Sequence, residues 1–304
     1  MAHHIKLNNG VEIPDVGLGT WAADKTGIVA DTLKTAVNLG YRHIDCATIY
    51  GNQVEIGEAL KQLSVPRKEL FIVSKVWQTY HRPELVPKAL DEILEQLQLD
   101  YIDLLLIHWP YAIKPGTPGM TFTASDIEDV PIMDTWRAME ALADTGKVRA
   151  IGVSNFNQAI LEKMIPQCRI VPAVNQIELH PFNQQTKLVK FCKQHNITPT
   201  AYCPLGGSDL SVIEDPFFKR MAEAHMCTPS QAVLSWNLAR GVVVIPKSTN
   251  PQRLKQNLHR ITPTNDEMRL SAKCDKQERR CHPLPDVKEL EWVFHEDKAT
   301  CPLI

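Results

Sequence analysis

The chain has 304 residues, 44% of them hydrophobic and 22% charged, the proportions of an ordinary folded protein and not of a disordered one. Lysine and arginine number 33 against 35 acidic residues, and the net charge of -2 supplies no general attraction to nucleic acid or to an anionic membrane. No apolar run is long enough to span a bilayer, and Met1-Ala2-His3-His4-Ile5-Lys6 does not read as a secretory signal.

The chain opens with Ile5-Lys6-Leu7, Asn9-Gly10 and Val11-Glu12-Ile13, which predicts a hairpin on a two-residue turn. Eight β-like runs follow: Val16–Gly19, Arg42–Asp45, Leu70–Lys75, Ile102–His108, Val148–Ser154, Val171–Gln176, Thr198–Tyr202 and Val242–Pro246. Between them apolar residues recur at helical spacing. Ile28, Leu33, Val37 and Leu39 lead to a stop at Gly40, and Leu85, Leu90, Ile93, Leu94 and Leu97 precede the fourth run. Thr228-Pro229 opens a further helix over Gln231–Arg240. Leu104–Ile107 and Val242–Ile245 are apolar on both faces, as buried parallel strands must be. Strict alternation with eight strands predicts an α/β fold, a (β/α)8 TIM barrel spanning 1–304 as one domain; an open doubly wound sheet is the competitor. Three stretches exceed ordinary connections, about 110–132, 205–216 and 280–304, and at the top of a barrel they would wall a pocket.

Eight cysteines (46, 168, 192, 203, 227, 274, 281, 301) form no C-x-x-C pair, the pattern of reduced thiols in a cytoplasmic protein. The end Cys301-Pro302-Leu303-Ile304 matches a prenylation box in form only, since no polybasic stretch precedes it.

Polar residues punctuate the C-terminal ends of the runs: Asp45, Lys75, His108, Ser154-Asn155, Asn175-Gln176, Tyr202 and Lys247-Ser248. Each alone has a bland reading, as a cap, a solvated strand end or a core histidine. In a barrel these ends converge on one face, where active sites lie. A tyrosine hydroxyl titrates near ~10, a nearby ammonium lowers that value, and a carboxylate holds the ammonium. Tyr50, Lys75 and Asp45 supply those three groups, and His108 could orient a carbonyl oxygen. No metal is expected: Glu178-x-His180 lies along one strand face, but H-E-x-x-H and cysteine clusters are lacking. A P-loop is also lacking. Gly17-x-Gly19-x-x-Ala22 fits a relaxed dinucleotide fingerprint without a convincing βαβ unit behind it.

The stretches "GYRHIDCATIYGNQVEIG" (40–57), "LLLIHWP" (104–110), "GVSNF" (152–156) and "IPKSTNPQRLKQN" (245–257) resemble the aldo-keto reductase family, in order and at the ends of βα units. The resemblance runs from Gly17 to about Asn257. It implies a barrel that binds a nicotinamide cofactor without a Rossmann domain, with Asp45, Tyr50, Lys75 and His108 as the catalytic tetrad and Tyr50 as proton donor. It also implies that Thr20, Ser154, Asn155 and Gln176 hold the nicotinamide end while Tyr202 stacks on its ring. Pro204, Leu205 and Asp209 would belong to a loop over the pyrophosphate. Lys247, Ser248, Arg253 and Asn257 would hold the 2′-phosphate and adenine of NADPH/NADP+, and no carboxylate in 245–257 offers itself to the ribose hydroxyls of NADH. Trp21, Trp77 and Trp109 align with pocket walls; Phe122, Trp292 and Phe294 lie on the variable stretches.

Departures are Gln53 for a usual glutamate, Cys203 and Gly207 for frequent serines, and Gln256 for a common acidic contact. The expectation is a monomeric cytoplasmic NADPH-dependent reductase of aldehydes, ketones or open-chain sugars, acting on a small-molecule carbonyl. The alternative is a cofactor-binding regulatory or structural protein on the same barrel. A metal-dependent sugar isomerase would need a carboxylate cluster that the chain lacks.

Overall fold

Short, doubly apolar strands leave their backbone groups unsatisfied unless every one is flanked on both sides, and closing the sheet achieves this. A computed structural model of the chain describes residues 3–21, 27–207, 211–280 and 288–293. Strands β1 (His4–Lys6) and β2 (Glu12–Pro14) form an antiparallel hairpin with Ile5 opposite Ile13. Its turn is not the expected two-residue form. The Gly10 amide bonds the Leu7 carbonyl at 2.9 Å and the Leu7 amide bonds the Val11 carbonyl at 2.8 Å, so the turn spans residues 7–10. Gly10 ends it at φ 87°, a left-handed bulge position that suits glycine.

The chain then lays down β3 (Gly17–Gly19), β4 (His43–Asp45), β5 (Phe71–Val76) and β6 (Leu104–Ile107). An excursion carries the small antiparallel pair β7 (Ala112–Ile113) and β8 (Ile127–Glu128). The sheet resumes with β9 (Ile151–Ser154), β10 (Val174–Glu178), β11 (Thr198–Tyr202) and β12 (Val243–Val244). Neighbouring strands are parallel in the order β3-β4-β5-β6-β9-β10-β11-β12, and a Val16–Val244 bridge closes the ring. Helices lie between the strands, among them Ile28–Leu39, Gln53–Lys61, Val86–Leu97, Ile132–Ala143 and Thr186–Gln194. This is a (β/α)8 barrel, as the alternation predicts.

Several bounds differ from expectation. The sixth strand begins three residues later than Val171 and runs on to Glu178, because Ile177 and Glu178 pair with Ala201 and Tyr202. The eighth shrinks to two residues; Pro246 has no amide to donate. The helix caps follow the sequence more closely. Gly40 stops its helix at φ 111°, and Thr228 and Gln231 form a capping box at the start of Pro229–Ala239.

Two apolar layers result. Phe71, Val73, Leu104, Leu106, Val174 and Val243 fill the barrel, and Leu7 and Ile13 of the hairpin join them, plugging the end where the strands begin. The larger layer lies between strands and helices, with Leu33, Ile93 and Trp136 fully buried. Function is therefore left to the opposite end. There the 110–132 stretch is not a bare loop: besides β7 and β8 it holds a turn at Ala124–Asp126, and Arg82 Nε meets both oxygens of Glu128 at 3.1 and 3.0 Å. The 205–216 stretch includes a helix at Ser211–Glu214. Of 280–304, the described part is Arg280 and residues 288–293, where Trp292 is buried and its carbonyl accepts from Asn157 Nδ2 at 3.0 Å. Among the described residues no helix is long and apolar enough to cross a membrane.

Candidate active site

Parallel strands all release their last side chains at one end, and four chemically active groups meet there. Asp45 ends β4, Tyr50 closes the tight turn Thr48–Tyr50 that follows, Lys75 lies within β5, and His108 follows β6. The Lys75 ammonium is completely buried and spends its three donors on Asp45 Oδ2 at 2.7 Å, the Cys46 carbonyl at 2.8 Å and the Tyr50 hydroxyl at 3.3 Å. Asp45 Oδ1 accepts from Gln176 Nε2 at 2.7 Å, and the Asp45 carbonyl accepts from the Thr20 hydroxyl at 2.8 Å. A buried ion pair repays its desolvation only with such complete bonding.

The expected lowering of the Tyr50 pKa is not found. Burial, reinforced by the negative field of Asp45, holds the hydroxyl well above its ordinary value. Lys75 is turned chiefly toward Asp45 and the Cys46 carbonyl, and its contact with Tyr50 is the longest of the three. Tyr50 therefore keeps its proton throughout the neutral range. His108 is displaced the other way, well below the usual histidine value, by burial and then by the nearby Lys75 charge and His81. It is neutral, with one ring N–H to give.

A second network joins the neighbouring strand ends. Asn155, at φ 63° just beyond β9, donates through Nδ2 to the His108 carbonyl at 2.9 Å and to Ser154 Oγ at 3.1 Å. Its Oδ1 accepts from the Tyr202 hydroxyl at 2.7 Å, and Ser154 Oγ donates to the Gln176 carbonyl at 2.9 Å. A left-handed asparagine is costly unless its surroundings require it, and here four strand ends do. Thr20, Ser154, Asn155, Gln176 and Tyr202 are thus gathered around the tetrad, although Gln176 reaches Asp45, a link the sequence does not announce. Pro204 and Leu205 follow in a turn closed by the Gly206 amide on the Cys203 carbonyl at 2.8 Å. Asp209 lies outside the described residues.

Trp77 and Trp109 are buried, and Trp77 meets the His108 ring edge to face with centroids 5.1 Å apart. Trp21 is 43% exposed and lies edge-on to Tyr50 at 5.0 Å, so it stands at the rim of the site. Phe122 packs on Tyr111, whose ring in turn lies 6.2 Å from Trp109. Phe294 is not among the described residues. The variant Gln53 is fully buried and bonds on both sides, accepting from Ser74 Oγ at 2.6 Å and donating to Gln96 Oε1 at 2.8 Å. A carboxylate there could not make the second bond as donor.

The 247–257 segment lies apart from this centre. Lys247 and Arg253 are exposed, whereas Ser248 is buried and its Oγ accepts the Asn250 amide at 3.1 Å. Among the described residues no carboxylate pairs with Arg253. Asn257 is buried beside the Tyr41 hydroxyl, which donates to the Leu254 carbonyl at 3.1 Å. Among the described residues no group of three or more histidine, cysteine, aspartate or glutamate side chains forms a metal cage. Glu178 and His180 instead bond each other in the interior at 2.9 Å. Sequence reading misses Gln78 and His81, both buried next to this site and carrying no motif.

Known proteins resemble the chain along most of its length. The chain is 46% identical over 261 residues to aldo-keto reductase family 4 member C11 of Arabidopsis thaliana, covering 83% of this chain and 82% of that protein. It is 42% identical over 276 residues to aldo-keto reductase family 1 member A1 of Cricetulus griseus, covering 85% and 84%. The solved aldose reductase of Schistosoma japonicum superposes with a TM-score of 0.87 at 40% identity, over 92% of this chain and 94% of that one. Residues 15–276 match the model of the aldo/keto reductase family, and the chain belongs to that family.

Proposed function

We propose that this oxidoreductase reduces aldehydes, ketones or open-chain sugars to alcohols with NADPH, and that residues 1–304 act as one cytoplasmic, monomeric unit. Membership of the family makes it an enzyme of small carbonyl compounds that uses a nicotinamide cofactor. The observation that carries the finer reading is the continuous chain from Asp45 through Lys75 to the Tyr50 hydroxyl, with neutral His108 across the same mouth.

Each group then has a task. A nicotinamide cofactor, when bound, would supply the hydride that the carbonyl carbon takes up. His108 gives an N–H to the carbonyl oxygen and orients it. Tyr50 gives its proton to the developing alkoxide, and Lys75 stabilises the tyrosinate left behind, itself held by Asp45. The high hydroxyl pKa of the free protein keeps that proton in place until it is needed. Trp77 and Trp109, both buried against the site, would wall the side from which the carbonyl approaches.

The residues fit NADPH. Thr20, Ser154, Asn155, Gln176 and Tyr202 would hold its nicotinamide end, with Pro204 and Leu205 beside the pyrophosphate; Asp209, assigned to the same loop by the resemblance, lies outside the described residues. Arg253, exposed and without a carboxylate partner among the described residues, would offer a planar fork to a 2′-phosphate, with Lys247 and Ser248 nearby in sequence. The test is oxidation of NADPH and NADH, followed by absorbance, with a panel of aldehydes, ketones and sugars. Turnover with NADPH well above NADH is expected; equal use of both cofactors, or no turnover of any carbonyl, contradicts the reading.

A further inference from the structure

Among the described residues, four buried polar atoms on the two segments that flank this part of the site have no hydrogen-bond partner: Trp77 Nε1, Gln78 Oε1, His81 Nε2 and His108 Nδ1, and of these the Trp77 ring lies 5.1 Å from the His108 ring while His81 lies within electrostatic reach of it. They come from two adjacent strand exits. The chain leaves β5 through a turn at Gln78–Tyr80, and the His108 amide bonds the Val76 carbonyl at 3.1 Å, so the two segments leave the barrel side by side. Gln78 Nε2 donates to the Tyr111 hydroxyl at 2.9 Å, which ties the turn to the segment after His108. The Thr135 hydroxyl donates to the His81 carbonyl at 2.6 Å and fixes its far end. Gln78 and His81 are each 1% exposed. Burial holds His81 at about 3 and His108 well below its ordinary value, so both rings are neutral.

An unsatisfied buried polar atom costs about 1–3 kcal/mol, and native interiors carry few of them. The chemistry of this set is complementary. The indole N–H only donates, the amide oxygen only accepts, and each imidazole nitrogen does one or the other according to its tautomer. A water molecule has two sites of each kind, and internal waters characteristically make about three such bonds.

We propose that one internal water joins these groups, accepting from Trp77 Nε1–H and His81 Nε2–H and donating to Gln78 Oε1 and His108 Nδ1, so that His81 and Gln78 are positioning residues for His108. With Nδ1 accepting, the ring proton of neutral His108 is confined to Nε2. Nε2 is then the nitrogen able to donate to a carbonyl oxygen. The inference rests on the reading of His108 given above, and it adds what sets the state of that ring.

The tautomer can be read directly, without turnover. Protein carrying ¹⁵N-histidine would be examined by long-range ¹H–¹⁵N spectra at pH 7.5, with the His108 signals assigned through His108→Gln. One tautomer with the proton on Nε2 is expected. His81→Leu should erase that bias and average the two ring-nitrogen shifts, and lower kcat about tenfold, a small part of the ~10²–10⁴ contributed by a positioned proton donor. The KM for NADPH should not move. His81→Gln, which keeps a polar tip, should restore both readouts. Gln78→Leu provides the same test if His81→Leu does not fold. A proton on Nδ1 in the unaltered protein, or a tautomer unmoved in every foldable variant of this pair, overturns the bridge. A changed tautomer with unchanged turnover upholds the bridge and instead overturns the role given to His108.

Discussion

Asp45 and Asp103 are both buried carboxylates bound to cations, at opposite mouths of the barrel. Asp103 precedes β6, where the strands begin. It accepts from Arg67 Nη2 at 2.7 Å, Arg149 Nη1 at 2.7 Å and the Ile72 amide at 2.8 Å. Its two guanidinium partners remain 22% and 44% exposed, so each keeps part of its hydration. Asp45, where the strands end, is bound to a lysine with no exposure at all. At one mouth two planar forks saturate the carboxylate and clamp three strands together. At the other a compact ammonium is held with one donor left for a titratable hydroxyl. The same kind of pair is a staple in the first place and, in the proposed mechanism, part of the reacting machinery in the second, and what separates them is the third partner.

The largest contrast should come from Lys75→Met. It leaves Asp45 buried without its counter-charge, a loss of about 3–5 kcal/mol in stability. It also withdraws the group that stabilises tyrosinate, so turnover per folded molecule should fall by roughly 10² or more. Urea unfolding and steady-state rates check the two effects separately. Asp103→Asn should behave differently, costing about 2–3 kcal/mol from the lost charge-assisted bonds while kcat and KM stay at parental values. A fall in kcat comparable to that of Lys75→Met would erase the distinction between the two mouths.

Smaller effects test the surroundings of the reactive mouth. His81 is depressed to about 3 in the folded chain against ~6.5 unfolded, so below pH 6.5 the unfolded state takes up a proton that the folded state refuses. Its contribution is fully present above pH 6.5 and drains away as pH falls toward 3. At pH 5 the loss is about 2 kcal/mol, and His81→Gln should lack it in urea titrations at pH 7.5 and 5. His43, lowered chiefly by burial, pushes in the same direction. Arg253→Ala, at the exposed rim, should weaken NADPH about tenfold, the lower end of a charged hydrogen bond, and leave NADH nearly unchanged in fluorescence titrations.

Much of this was legible in the residues because it depends on local pattern. The doubly apolar runs and their polar terminators place Asp45, Lys75, His108 and Asn155 at one mouth once closure is assumed. Gly40 and Thr228 announce their helix ends. What depends on depth was not legible. The direction of the Tyr50 shift follows from burial and from an ammonium already engaged by Asp45, and neither can be counted along a sequence. The Gln176–Asp45 bond crosses 131 positions of chain. Gln78 and His81 match no pattern; what distinguishes them is one buried atom each, Gln78 Oε1 and His81 Nε2, that has no partner among the described residues. The antiparallel pair inside 110–132 escapes notice since each of its strands has two residues, too few to show alternation.

In the proposed mechanism Tyr50 is the proton donor, held protonated by its surroundings and served by Lys75. The most direct test is a single turnover of Tyr50→Phe loaded with NADPH and mixed with a reactive aldehyde, alongside the parental protein. NADPH affinity should be unchanged, with cofactor oxidation slowed by roughly 10²–10⁴. Oxidation at the parental rate would contradict that mechanism.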